Sequence, residues 1–99
     1  DTLEGGHDDD VLFGEHDDDE LWGWLGNDIL EGGKGDDTLF GEEGADIVSG
    51  GEGNDSLVGG SENDTLWGFT GDDTLDGGAG DGQLRAEAGN DVYLYFSKR

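Results

Sequence analysis

Apolar residues recur every nine places along this 99-residue chain. Leu12, Leu21, Leu30, Leu39, Val48, Leu57, Leu66, Leu75, Leu84 and Tyr93 form one column, without an insertion between them. The residues flanking each are mixed, which over three positions is the alternation of a short strand with one buried face. Between the strands lie six-residue stretches of glycine, aspartate and asparagine, the residues of tight turns. Residues 32–40, GGKGDDTLF, show the unit at its most regular: six turn residues, then three strand residues. Glycine every few positions excludes a helix.

Ten such units begin at Gly5, Gly14, Gly23, Gly32, Gly41, Gly50, Gly59, Gly68, Gly77 and Ala86. The sixth position reads Asp10, Asp19, Asp28, Asp37, Asp46, Asp55, Asp64, Asp73, Gly82 and Asp91, and Asp1 continues the series upstream. A fixed period of this kind marks a repeat architecture whose units bury their apolar faces only by stacking. Nine residues make half a coil. Strand, turn, strand and turn close in 18 residues, so residue i stacks on residue i+18. The predicted fold is all-β: a right-handed parallel β-roll of two short parallel sheets, about five coils and roughly 24 Å long at ~4.8 Å per coil. The glycines at positions one, two and four, with Asp or Asn common at five, are expected to serve left-handed or mirror-β backbone angles. The chain reads as one domain, 1–99, with ten units over 5–94, a partial unit at 1–4 and a terminal strand or cap over 95–99. Both ends fall in mid-pattern, which suggests a piece of a longer protein with adjacent domains.

Composition changes what this pattern means. Twenty-seven acidic residues against four basic ones give a net charge of −23, with only 30% hydrophobic residues. That balance alone would describe a disordered chain. A strict nine-residue register points instead to conditional order, in which the chain stays unfolded until something cancels its charge. No basic patch is available for nucleic acid or an anionic membrane, so cations are the expected partners. Without cysteine there is neither a disulfide nor a thiolate metal site. No apolar run reaches the length of a membrane span or a signal-peptide core.

Stacking by 18 sorts the sixth-position carboxylates into two rows. One edge of the roll carries Asp10, Asp28, Asp46 and Asp64; the other carries Asp1, Asp19, Asp37, Asp55, Asp73 and Asp91. Carboxylates a few ångströms apart repel strongly unless a cation lies between them. The glycine turns present backbone carbonyls in the same place, and ligation by oxygen alone at six or more positions suits Ca²⁺. Two histidines and no cysteine argue against zinc or copper, and Mg²⁺ keeps its waters too firmly for a carbonyl cage.

Over essentially its whole length the chain resembles the RTX (haemolysin-type) calcium-binding repeats of secreted bacterial proteins. Ten tandem matches to Gly-Gly-x-Gly-x-Asp-x-Leu-x carry the resemblance. It implies ions held between neighbouring turns by the motif aspartate and the carbonyls of the glycine positions. Carried onto this chain, the carboxylates are Asp10, Asp28, Asp46, Asp64, Asp19, Asp37, Asp55, Asp73 and Asp91. The carbonyls are those of Gly14, Gly23, Gly32, Gly35, Gly41, Gly44, Gly50, Gly53, Gly59, Gly68 and Gly71. Seven ions would lie between Asp10/Asp28, Asp28/Asp46, Asp46/Asp64, Asp19/Asp37, Asp37/Asp55, Asp55/Asp73 and Asp73/Asp91, with Asp1/Asp19 a partial eighth. They would cancel fourteen of the 23 negative charges. The resemblance further implies a secreted module suited to type I secretion, disordered without calcium and folded with it.

The chain departs from the pattern at named places. Gly82 replaces a motif aspartate, so the site beyond Asp64 should be weak or empty. Asp8, Asp17 and Glu62 stand at the fourth position, and Ala86 at a first position. Residues 89–96 look like a last unit running into a terminal strand. In the acidic runs at residues 8–10 and 17–19, Asp10 and Asp19 are the expected ligands and their neighbours solvated surface. No EF-hand loop fits, and His7 and His16 fall on opposite edges. Outward apolar stripes are expected at Trp22, Phe40, Val58 and Leu94 on one sheet, interrupted by Asp76, and at Val11, Ile29 and Ile47, ending in Thr65, on the other. They suit packing against a cap, a neighbouring domain or another copy, or binding a ligand. Trp24 and Phe69, at second positions, are expected over the ion rows. No catalytic grouping stands out. The expectation is a calcium-dependent folding module and not an enzyme; the alternative is a calcium-held adhesive or ligand-binding scaffold, natural or engineered, using Trp22, Phe40 and Val58.

Overall fold

The computed structural model describes residues 1–79, 82–85, 87 and 89–94. Its strands are β1 (Thr2–Gly6), β2 (Val11–Phe13), β3 (Glu20–Trp24), β4 (Ile29–Lys34), β5 (Thr38–Glu42), β6 (Ile47–Glu52), β7 (Ser56–Gly60), β8 (Thr65–Phe69), β9 (Thr74–Asp76), β10 (Gln83–Arg85) and β11 (Val92–Leu94). Odd strands β1 to β9 and β11 form one parallel sheet in chain order; the even strands β2 to β10 form the other. Every pairing is offset by eighteen, as in Leu21 opposite Leu39 and Leu30 opposite Val48. The chain is therefore an all-β solenoid of about five coils, as the period of nine predicts.

Between the sheets runs one layer of side chains. Leu21, Leu30, Leu39, Val48, Leu57, Leu66 and Leu75 are wholly buried, Leu12 nearly so, and Leu3 and Leu84 pack against the row. The smallest Cα extent, 13 Å, leaves room for this single layer, since packed sheets lie about 10 Å apart. Tyr93 departs from the column: it is 47% exposed. Ala86, residues 95–99 and the side chain of Leu94 lie outside the described residues. The predicted outward stripe of Val11, Ile29 and Ile47 is exposed.

Most strands are longer than the three residues expected. They continue from position seven through the glycine at position one to position two or three, as in Ile29–Lys34. The glycines consequently have two separate jobs, and the expectation that position one needs a left-handed backbone is corrected. Among the described residues positive φ occurs at positions two and four and at neither position one nor position five: Gly33 at +91°, Gly35 at +112°, Gly51 at +93°, Gly53 at +113°. Position one is extended strand, and glycine is there for space. A Cβ on Gly41 would lie 2.5 Å from Asp46 Oδ2 and 2.8 Å from the Gly59 carbonyl oxygen, far inside contact distance. At position four the carbonyl of the coil below fills the space that a side chain would take, as Gly26 does beneath Gly44. Asp8 and Asp17 stand at position four with φ of +74° and +72°. Glu62 has Gly44 eighteen places before it and keeps φ at +73°.

Gly41→Ala should therefore cost the folded roll about 1–3 kcal/mol, the range of an overpacked core site. Ser49→Ala, on an outward position, should change it by less than about 0.5 kcal/mol. Urea unfolding in calcium buffer checks both. A Gly41→Ala protein as stable as its parent would show that position one is not closely packed.

Candidate metal centres

The sixth-position aspartates face inward at the two edges of the roll. Asp28, Asp37, Asp46, Asp55, Asp64 and Asp73 are 1–2% exposed and Asp19 is 5% exposed, while Asp10 and Asp91 at the ends are half-buried. Each carboxylate is fastened to the coil before it. Asp28 Oδ1 accepts the Asp10 amide at 2.8 Å, Asp46 that of Asp28 at 2.7 Å and Asp64 that of Asp46 at 2.8 Å. On the other edge Asp37, Asp55, Asp73 and Asp91 accept the amides of Asp19, Asp37, Asp55 and Asp73 at 2.7–2.8 Å. The α-ammonium of Asp1 takes the same role towards Asp19 Oδ1 at 2.9 Å. All the paired aspartates expected from the 18-residue stacking thus lie one above another. Gly82 offers no carboxylate to receive the Asp64 amide, so this row stops there.

The second carboxylate oxygen has a different fate. Oδ2 of Asp10, Asp19, Asp28, Asp37, Asp46, Asp55, Asp64 and Asp73 is buried with no hydrogen-bond partner. A buried anionic oxygen left unpartnered is strongly unfavourable. Carbonyl oxygens crowd the same space. A point one bond from the Gly14 Cα is 2.7 Å from Asp19 Oδ2 and 2.7 Å from the Gly32 oxygen; beside Gly32 the corresponding pair is Asp37 Oδ2 and the Gly50 oxygen at 2.5 and 2.8 Å. The carbonyls of Gly26, Gly35 and Gly53 each point at the position-four glycine of the next coil on their edge. Among the described residues no three Asp, Glu, His or Cys side chains gather around one point. A cation here would need main-chain oxygens as well as carboxylates. Hard, all-oxygen donors with an orphaned anionic oxygen are the chemistry that fits Ca²⁺.

A further set of residues went unrecognised in the sequence. The fifth position carries a second ladder, running opposite to the first. Asp9 Oδ1 accepts the Asn27 amide at 2.8 Å and Asn27 Oδ1 that of Ala45 at 2.9 Å. On the other edge Asp18, Asp36, Asn54 and Asp72 accept the amides of Asp36, Asn54, Asp72 and Asn90 at 2.7–2.8 Å. Asp9 and Asp18 are exposed, as expected, and are also rungs of this ladder. The recurrence of Asp and Asn at position five is the signal of it in the sequence, where it is indistinguishable from a backbone preference. Ala45 has no side-chain oxygen to continue the ladder on its edge. Trp24 and Phe69 also differ from expectation. Trp24 stacks on Trp22 at 5.0 Å and Phe69 meets Trp67 edge-on at 5.7 Å, so both belong to the sheet faces and not to the ion rows.

Burial pushes the carboxyls of Asp46, Asp55 and Asp64 up to about 7 and that of Asp73 to about 6. Asp28 and Asp37 are raised for the same reason. In each the amide bond from the preceding coil opposes the rise, and neighbouring carboxylates such as Asp28 beside Asp46 add to it. The folded chain thus holds protons that the unfolded chain releases above about pH 4. Without metal, folding is favoured below that pH, and the advantage is lost as pH climbs through 6 to 7. In chelator, far-ultraviolet circular dichroism should show more β structure at pH 4.5 than at pH 8. Equal spectra would mean that carboxylate charge does not oppose folding.

Comparison with known proteins agrees with this geometry. The profile of the RTX calcium-binding nonapeptide repeat (4 copies) matches residues 1–30, 25–57 and 49–84. No curated protein and no solved structure matches the chain. The repeat profile covers well over half of the sequence, and the chain belongs to the RTX calcium-binding nonapeptide repeat family.

Proposed function

We propose that this domain is a calcium-dependent folding module, in which Ca²⁺ lies between successive turns on both edges of the roll. The observation that carries the reading is the two rows of buried aspartate Oδ2 atoms, eight in all, without hydrogen-bond partners, with main-chain carbonyl oxygens crowding the same space beside Asp10, Asp19, Asp28, Asp37, Asp46 and Asp64. The motif aspartates and the carbonyls of the position-one and position-four glycines would be the ligands. Asp10/Asp28, Asp28/Asp46, Asp46/Asp64, Asp19/Asp37, Asp37/Asp55, Asp55/Asp73 and Asp73/Asp91 bracket seven ions. Asp1 and Asp19 are a partial eighth pair. Each ion replaces a proton or a repulsion with two attractive contacts, so binding and folding are one event. Without calcium, 27 acidic residues over a one-leucine-thick core leave the chain unfolded. This behaviour suits a single module within a secreted bacterial protein, threaded unfolded from a calcium-poor compartment and ordered outside. Its role is structural and not catalytic.

A second reading rests on the outward face of the odd-stranded sheet. Trp22 stacks on Phe40 at 4.1 Å with Trp24 alongside, and Val58 continues the row. That face would serve as an adhesive or self-association surface on a calcium-held scaffold, or pack against an adjacent domain. Trp22→Ala with intact calcium folding and lost self-association or binding would favour it.

Calcium titration at pH 7.5, followed by circular dichroism and calorimetry, should take the chain from disordered to β with about seven ions bound. Asp37→Asn lies between two sites and should lower the count by about two, whereas Asp9→Asn should leave it unchanged. Gly82→Asp should add one. A β spectrum in excess chelator at neutral pH would overturn the folding switch, and an unchanged count in the Asp37→Asn protein would overturn the ligand assignment.

A further inference from the structure

The outward face of the even-stranded sheet holds a groove of about 250 Å³ lined by Glu31, Gly33, Ser49, Gly51, Trp67 and Phe69. It arises from a step in side-chain size. On β8 the outward positions carry Trp67 and Phe69; in register with them on β6 are Ser49 and Gly51, and on β4 Glu31 and Gly33. Two rings therefore form a wall, backbone and a small hydroxyl form the floor, and a carboxylate closes the far side two strands away. At ~4.8 Å per strand that separation is roughly 10 Å, enough for one compact group between indole and carboxylate. Phe69 sets the wall's pose by meeting Trp67 edge-on at 71°, and the indole stays 38% exposed.

We infer that this groove binds a small organic cation, an alkylammonium or guanidinium group, between the face of Trp67 and the carboxylate of Glu31. Charge selects this occupant. Glu31 is the one charged residue of the lining, while Lys34 and Glu52 lie in register with each other beyond the glycines. Arg85 is in register with Trp67 on the opposite strand, β10, away from the groove. The chain carries −23, and seven bound Ca²⁺ would still leave −9 (−23 + 14). A negative protein presenting an aromatic face opposite a carboxylate attracts cations by both ring quadrupole and charge. Ser49 adds a hydroxyl acceptor for an N–H group. None of these residues is a sixth-position aspartate or one of the glycines assigned to calcium, so the groove needs only the folded roll.

The test is a titration of ¹⁵N-labelled protein with tetramethylammonium chloride in calcium buffer, reading the three indole N–H signals. Trp67→Phe identifies the relevant signal. The Trp67 resonance should shift saturably while those of Trp22 and Trp24 stay fixed, and sodium chloride at equal ionic strength should not reproduce the shift. Glu31→Gln should weaken binding roughly two- to fivefold, the size of an exposed charge contact. Circular dichroism must show that variant folded. Three indoles moving together, no saturation, or a Glu31→Gln protein binding as tightly as the parent would overturn the inference. Saturable binding of methyl glucoside without binding of the ammonium ion would overturn it too, and would mark the groove as a neutral sugar site.

Discussion

One carboxylate, held by one oxygen and unpartnered at the other, sets the terms for the rest of this fold. Oδ1 of each motif aspartate is fastened to the preceding coil, so the side chain cannot turn to water. Oδ2 is then carried inside with its charge. Neighbouring charges one coil apart repel by about 3–4 kcal/mol at an effective dielectric near 20. A row of four or five of them sets that repulsion against one buried apolar side chain per half-coil. A proton removes the repulsion, and a divalent cation reverses its sign. On the proposed reading, calcium would supply that cation on both edges of the roll.

The backbone is arranged around that gap. At position-one glycines such as Gly41, the carboxylate and a carbonyl already occupy the volume of a Cβ. Positions two and four turn left-handed, and the position-four carbonyls come to lie along the stack. Ladders at positions five and six run in opposite senses, so each coil is both donor and acceptor to each neighbour. Loss of one coil removes partners above and below, which makes ordering cooperative along the stack. The two edges are unequal in this respect. The edge of Asp19 to Asp91 keeps both ladders through every described turn. The edge of Asp10 to Asp64 meets Ala45, the strained Glu62 and Gly82 in succession.

The period of nine carried most of this fold. It is a covalent fact of the chain, and 18-residue closure, the two parallel sheets and the two rows of aspartates all follow from it. The alternation around Leu30 or Leu57 was enough to place the core. What the sequence could not show was the reason for each glycine. A glycine needed for positive φ, such as Gly51, and one needed for room, such as Gly50, look identical in one dimension. The fifth-position ladder was hidden for a related cause. Asp and Asn favour turns by local bonds, so a bond reaching eighteen residues away leaves no local trace. Trp24 and Phe69 were misplaced because a left-handed residue in a strand's last position still projects with the sheet face.

That last point explains how side chains survive where glycine is the rule. Glu15, Trp24, Glu42, Phe69 and Glu87 all hold φ between 68° and 77° at position two. Such angles cost a non-glycine residue about 1–3 kcal/mol. In both aromatic cases a second aromatic stands two residues earlier on the same strand, Trp22 for Trp24 and Trp67 for Phe69. Ring pairs contribute about 0.5–1.5 kcal/mol beyond their buried area, which offsets much of the strain. Positions nine and two thus share the outer face, while positions six and eight point to the interior. The inside of the roll is committed to oxygen, leucine and glycine. Recognition, where it occurs, is left to the outward pairs.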